Sequence, residues 1–289
     1  MFKNLLILIV FCFFILISSA GLSEENEASI IYVSISGIGN YTKIQDGIDA
    51  TVLGGTIYVY NGTYYENIVI DKSIFLLGEN KNSTIIDGRV AGNTIKVNAD
   101  NVVIKGFTIQ HSGLVYPNSG INLSSNNNLI EGNIITDNFY GLTLYFSSEN
   151  VIRGNTIQND DHCGIYMTSS SNNTIINNTI QNNNYNGIGT YYSSNNNLIS
   201  GNNFSKNGYC GVNIRISSDN NVIDNNFTDN NIGIHLPLGN LEKDNYFSNN
   251  NIDIEKDTIL SGNELFVVLG FLIVIVIFGF IFYRKRRKI

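Results

Sequence analysis

The feature that most constrains this chain is self-repetition. From Gly120 it restarts every 21 to 24 residues, in units that open at Gly120, Gly141, Gly164, Gly187, Gly211 and Gly233. One unit, from Gly164 to Asn186, reads GIYMTSSSNNTIINNTIQNNNYN. Three apolar columns run through the units. The first is Ile121, Leu142, Ile165, Ile188, Val212 and Ile234. Two positions on come Leu123, Leu144, Met167, Thr190, Ile214 and Leu236, and the third column is Ile130, Ile152, Ile175, Ile199 and Ile223. Spacing by two within short segments means strands with these side chains on one face. So few apolar residues per unit bury nothing alone, and they become a core only when the units stack.

Two asparagine columns accompany the apolar ones. One is Asn128, Asn150, Asn173, Asn197 and Asn221. The other is Asn133, Asn155, Asn178, Asn202, Asn226 and Asn245. Each lies beside a turn, where asparagine tolerates left-handed backbone and where stacked amides bond from layer to layer. A disordered Asn/Ser tract would not keep strict Ile and Gly columns. A leucine-rich repeat has this period but needs a helix-forming stretch that these units lack. The expectation is an all-β solenoid, a single-stranded right-handed parallel β-helix of ~22–24-residue coils. It spans 21–251, with the regular coils at 120–251.

The segment before Gly120 reads as the start of the same solenoid. Residues 42–50 are predicted as a short cap helix, with Thr42 as N-cap and Ile44 and Ile48 on one face. Strand-like runs follow at Thr56–Tyr60, Asn67–Ile70, Ser73–Leu77 and Val102–Ile109. The long interval between Gly92 and Gly120 places a projecting loop near His111 to Asn118.

The two ends indicate a compartment. Residues 1–20 have a short basic start, an uncharged run from Leu5 to Ile17 and small residues at Ser18 and Ala20, the pattern of a secretory signal peptide. An uncleaved anchor is the alternative reading. Residues 252–264 read as a linker. Leu265–Tyr283 is 19 residues without a charge, enough for a transmembrane helix. The basic tail 284–289 that follows belongs in the cytoplasm. A cleavable sorting tail is the alternative at this end. The expected location is the cell membrane, with the body of the protein extracellular. That body, 21–264, carries 11 basic against 24 acidic side chains, a net charge of −13. Such a surface excludes nucleic acid as a partner. Two cysteines in the body, Cys163 and Cys210, make no disulfide scaffold. They share a column two coils apart, too far to bridge.

The run YTKIQDGIDA, followed by GGTIYVYNGTYYENIVIDKSIFLLGENKNSTIIDG, resembles the opening of NosD-like and pectate-lyase-like β-helix proteins. The unit itself is similar to the parallel β-helix repeat of that superfamily, whose segment is also called the carbohydrate-binding and sugar-hydrolysis domain. The resemblance covers about residues 30–250, and an Asn- and Ile-rich β-helix with one C-terminal anchor resembles archaeal cell-surface proteins. It implies a carbohydrate-related envelope role but rests on structural residues, so it does not choose among lyases, hydrolases, epimerases, adhesins and accessory proteins for copper enzymes.

The candidates for chemistry are few. Hydrolases of this build need clustered carboxylates on neighbouring coils. The nearest match is Asp160-Asp161-His162, with Asp137 in the column of Asp160 one coil earlier. Asp160 and Asp161 read as a solvated acidic turn. The candidate metal ligands are Asp137, Asp160 and Asp161, for Ca²⁺ at one edge, and His162, which with Cys163 is a weak start for a copper or zinc site; no other cofactor is expected. Arg153 reads as the partner of Glu131. Eight N-x-S/T sequons, at Asn40, Asn61, Asn82, Asn122, Asn172, Asn177, Asn203 and Asn226, are glycan-acceptor candidates.

The candidate ligand face is the outer side of the first strand of each coil. Tyr145, Thr168, Tyr191 and Arg215 form one line there, with Tyr166 and Asn213 beside it. Aromatic rings with hydroxyls, amides and a guanidinium suit a sugar chain. Pairing of tyrosines across coils for sheet stability is the competing reading. The functional expectation is a membrane-anchored surface protein that binds carbohydrate or contributes to the envelope or adhesion without catalysis. A polysaccharide lyase or hydrolase, and a NosD-like accessory protein docking a metalloenzyme or another envelope protein, are the alternatives.

Overall fold

The computed structural model describes residues 30–257. Three parallel sheets wind around one core in about ten turns. The first sheet has ten strands, from Ile30–Val33 to Leu241–Lys243. The second has nine, from Gly62–Tyr64 to Tyr246–Ser248, and the third has nine, from Ile68–Ile70 to Ile252–Lys256. Every pairing is parallel and joins residues one coil apart, such as Ile130 with Ile152 and Leu142 with Ile165. The expected β-helix is therefore present. The expected signal peptide, most of the expected linker, the apolar run and the expected cytoplasmic tail lie outside the described residues. Within them no helix is long and apolar enough to cross a membrane.

Stacking buries what a single unit cannot. Ile130, Ile152, Ile175 and Ile199 are fully buried, as are Leu142, Ile165, Ile188 and Val212. Each contributes ~1.5–3 kcal/mol by leaving water. A column of the second sheet changes from isoleucine to phenylalanine, and Phe204, Phe227 and Phe247 stack at 4.8 and 5.3 Å. At the last described coil the first-sheet core column ends in Glu242, in register with Val222 and half-buried. Its Oε1 accepts a hydrogen bond from Asn245 Nδ2 at 3.1 Å.

Each of the three corners carries its own amide ladder. At the corner between first and second sheets the amide oxygens of Asn155, Asn178, Asn202, Asn225 and Asn245 accept the backbone N–H of the equivalent residue one coil earlier, at 2.8–2.9 Å. The corner entering the first sheet repeats this through Asn150, Asn173, Asn197, Asn220 and Asn240. Two expected members are therefore displaced by one residue. Asn225 replaces Asn226 and Asn220 replaces Asn221, while Val222, not Ile223, faces the core. Asn226 lies on a strand and bonds Asn203 at 3.1 Å instead. The third ladder, Asn138, Asp160, Asn183, Asn207, Asn230 and Asn250, was not anticipated. It corrects the reading of Asp160 as a solvated turn, because Asp160 is 0 % exposed. Its column neighbour is Asn138, not Asp137.

The helix is Ile44–Ala50, and Ile44 and Ile48 are fully buried over the open end of the first coil. Thr42 is not its cap. The Glu66 carboxylate, from the next coil, accepts the N–H groups of Ile44 and Gln45 at 2.8 and 3.0 Å. At the other end the solenoid runs on past Asn251, since Ile252–Lys256 pairs with Ile232–Leu236. The start of the expected linker is thus a strand. The loop near His111 to Asn118 projects as expected, with Leu114, Val115 and Tyr116 exposed. Arg153 meets Glu131 at 3.2 Å. Cys163 and Cys210 are buried free thiols, with Asn186 between them in the column.

Candidate binding cleft

The strands bring most of the expected outer-face residues into register. Tyr145 pairs with Thr168, and Thr168 with Tyr191. Thr143, Tyr166, Gly189, Asn213 and His235 form the adjacent line. Burial separates these residues. Thr168 and Asn213 are 8 % and 2 % exposed, so they present little to a ligand. Tyr166 and Tyr191 stack on each other, centroids 5.1 Å apart at 27°. That stack exists because Gly189 has no side chain, and Tyr191 folds over it until its hydroxyl meets Asn186 Nδ2 at 3.3 Å. Tyr140 closes the stack on the other side, 4.9 Å from Tyr166. Burial, then the neighbouring Tyr116 and the Cys163 thiol, push the Tyr166 phenol up to about 12. Tyr166 and Tyr191 are thus paired across coils, and Tyr166 also lines the cleft described next.

The space available to a ligand lies one step toward the N-terminus. A cleft of about 500 Å³ opens between the projecting loop and the third sheet, within the ~300–1,000 Å³ usual for ligand sites. Tyr140, Thr143 and Tyr166 line it from the third sheet, with Tyr116 of the loop and Tyr145 of the strand end. Tyr116 and Tyr145 are 61 % and 49 % exposed, so both keep ring area that no neighbour covers. Behind the lining lies a polar network that fixes Asn122 and Asn93. Asn122 Nδ2 donates to Thr143 Oγ1 at 2.8 Å, Ser119 and Thr143 share a hydrogen bond at 3.1 Å, and Ser119 N–H donates to Asn93 at 2.9 Å. Lys96 lies at the rim, exposed, with no ion-pair partner among the described residues. The lining contains no carboxylate and no histidine. Tyr116, Lys96 and Asn93 escaped sequence reasoning because they lie outside the regular repeat; the long Gly92–Gly120 interval was their one signal.

Arg215 lies farther along the same face. It lines a shallower hollow of about 390 Å³ with Tyr191, Ile216 and His235. There His235 Nδ1 donates to the Ile214 carbonyl at 3.1 Å and Nε2 faces Asp257 at 3.3 Å.

The candidate metal ligands do not converge. Among the described residues no three of His, Cys, Asp and Glu are grouped to hold an ion. Asp160 points into its ladder, while Asp137 accepts a hydrogen bond from Thr136 at 2.8 Å. His162 packs between Tyr140 and Tyr185 at 5.0 and 4.8 Å, and burial lowers its basicity. Its Nδ1 lies 3.1 Å from Cys163 Sγ, but burial pushes that thiol up to about 12. Of the sequons, Asn40, Asn61, Asn82, Asn172, Asn177 and Asn203 are exposed, whereas Asn122 and Asn226 are half-buried.

The family model described as "Periplasmic copper-binding protein (NosD)" matches residues 48–264, 217 of the 289. Copper would need several His, Cys or Met ligands together. His162 and Cys163 are a pair without a third member, and Met167 is fully buried in the core, so the described residues do not fit a copper centre. The chain is 31% identical over 130 residues to "Probable pectinesterase 67" of Arabidopsis thaliana, covering 40% of this chain and 37% of that protein. It is 37% identical over 98 residues to a "Cell surface glycoprotein" of Methanothermus fervidus, covering 33% and 16%. The matches thus span well under half of either relative. Among solved structures, the Azotobacter vinelandii mannuronan C-5 epimerase AlgE6 A-module aligns with TM-score 0.56 at 16% identity, covering 74% of each chain. The catalytic domain of GH87 alpha-1,3-glucanase in complex with nigerose aligns with TM-score 0.56 at 17% identity, covering 80% of this chain and 46% of that one. Both likenesses concern the fold.

Proposed function

Since the chain belongs to the NosD family, whose model spans most of its solenoid, we propose that it is a cell-surface β-helix protein that binds a glycan chain without cleaving it. The likeness to a cell surface glycoprotein supports an extracellular or envelope location. The apolar run Leu265–Tyr283 and its basic flank act as the anchor and hold the solenoid outside the membrane.

The observation that carries the reading is the cleft between Tyr116 and Tyr145. Two partly exposed aromatic rings, Tyr116 set edge-on to Tyr140 and Tyr145 to Phe146, line it together with the accessible side chains of Asn93, Asn122 and Ser124. A sugar ring stacks its C–H face on tyrosine and exchanges hydrogen bonds with such amides and hydroxyl. Hydrolysis of a glycosidic bond takes two carboxyl groups flanking it, and the lining supplies none. The excess of 24 acidic over 11 basic side chains in the body favours an uncharged glycan over an acidic one. Tyr166 and Tyr191, spent on each other, keep this lining rigid.

The test is binding of the purified full chain to arrays of neutral and acidic glycans, beside a Tyr116→Ala, Tyr145→Ala double variant. At ~0.5–1.5 kcal/mol per aromatic contact, the double variant should bind about 5- to 150-fold more weakly. No binding by either protein, or equal binding by both, sinks the proposal. Release of reducing ends from a bound glycan would replace it with an enzymatic reading.

A further inference from the structure

The third ladder has one member unlike the rest. Asn138, Asn183, Asn207, Asn230 and Asn250 surround Asp160 in the column. Asp160 Oδ1 does what the amide oxygens do and accepts the Asn138 N–H at 3.0 Å. Oδ2 occupies the place of an amide nitrogen. In the other coils that nitrogen donates twice. Asn207 Nδ2 bonds Asn230 Oδ1 at 3.0 Å and the Ile180 carbonyl at 3.1 Å. Asn230 Nδ2 bonds Asn250 Oδ1 at 3.2 Å and the Phe204 carbonyl at 3.0 Å. By the same register Asp160 Oδ2 looks onto acceptors, Asn183 Oδ1 and the Ile135 carbonyl. It is buried and has no hydrogen-bond partner. It also packs so close to Gly141 that any side chain there would collide with it. An ionised carboxylate at this place would set an oxygen anion against acceptors, out of water.

We propose that Asp160 is a neutral carboxylic acid at neutral pH, its Oδ2–H completing the ladder, and that its ionisation is an alkaline-side switch loosening the corner beneath the cleft. The charged and titratable groups facing it are Asp137 from the coil before, Asp161 next in the chain and the Cys163 thiol. None is a cation, and His162 nearby is made less basic by burial. Burial in the first place holds the Asp160 carboxyl well above the usual carboxylate range, and Asp137 and Asp161 add to this against the opposing Asn138 hydrogen bonds. The corner matters because Gly141, against which Oδ2 rests, belongs to the strand Tyr140–Tyr145. That strand supplies Tyr140, Thr143 and Tyr145 to the cleft.

The sign follows from proton counting. The native state keeps a proton that the unfolded chain releases above ~pH 4. This group's contribution is therefore greatest in acid and is lost as pH rises toward its native titration point. The experiment compares the full chain with Asp160→Asn, which restores the residue found at the other five positions. Unfolding by urea is followed from about pH 5 to about pH 9. The expected result is a wild-type unfolding constant that climbs about tenfold per pH unit relative to the variant. The variant should also show slower hydrogen exchange across Tyr140–Tyr145 at the alkaline end. Infrared spectra at neutral pH should contain a protonated-carboxyl band that the variant lacks. Parallel pH profiles, a variant less stable at every pH, or no such band in the wild type would each overturn the proposal. None of these readouts depends on glycan binding.

Discussion

Replacing Asn178 with alanine tests the ladders directly. Asn178 is 2 % exposed and holds five hydrogen bonds through its side chain. Its Oδ1 accepts from the Asn155 backbone N–H at 2.9 Å and from Asn155 Nδ2 at 3.1 Å. Its Nδ2 donates to Asn202 Oδ1 and to the carbonyls of Ile152 and Ile176. Most of these partners keep another bond. Asn155 Nδ2 still reaches the Ile130 carbonyl, and Asn202 Oδ1 still accepts the Asn178 N–H. The Asn155 N–H does not, and it is left buried and unpaired. One such group costs ~1–3 kcal/mol, and weakened acceptors at Ile152 and Ile176 add part of another. The expected loss is about 2–4 kcal/mol. Asn183→Ala should fall in the same range, since Asn183 is a member of the third ladder. Asn184→Ala, exposed and without a side-chain hydrogen bond to neighbouring coils, should stay within ~0.5 kcal/mol. Guanidinium unfolding followed by circular dichroism gives the three midpoints. If Asn178→Ala unfolds with Asn184→Ala, the amide column does not hold the coils and the energetic account fails.

The register of the ladder can be checked one residue at a time: Asn225→Ala should cost ~1–3 kcal/mol of unfolding free energy and Asn226→Ala well under 1. Asp87 makes a pH prediction of opposite sign to that of Asp160. Its burial works against ionisation, but hydrogen bonds from Gln110, the Arg89 N–H and His111 prevail and hold the carboxyl below its ordinary value. The stabilisation is therefore present above the unfolded value of ~3.9 and is lost as pH falls through the lower native one. Wild type should lead Asp87→Asn at pH ~6, and the lead should vanish in strong acid. A constant gap across the titration would refute this.

The fold was legible because stacking leaves a period in the sequence, and the want of a helix-forming stretch separates it from a leucine-rich repeat of the same period. What blurred was register. At Asn220-Asn221 and Asn225-Asn226 two amides stand side by side, and only the inward Val222 tells which faces the core. The third ladder was concealed by Asp160, a residue type that reads as solvated, and by the doublet Asn183-Asn184. In the binding face the lines of residues came out of period-two counting alone. Which rings stay free did not, because it depends on the gap at Gly189 that lets Tyr191 lie against Tyr166. Tyr116 and Lys96 belong to irregular coils, where no repeat marks a position.

A pile of identical rungs carries a hazard of its own making. Whatever attracts one coil to the next also attracts a coil of another molecule, and parallel strands at an open end are templates for fibre growth. Here the two ends of the first-sheet column are closed by unlike means. At the start Ile44 and Ile48 of the short helix cover the core, with Glu66 tying the helix to the next coil. At Glu242, in the last described coil, the apolar column becomes a carboxylate, a side chain that costs free energy to bury against an apolar core. Among the described residues, then, the column is closed by apolar cover at its first coil and carries a carboxylate at its last, two unlike answers to the same hazard.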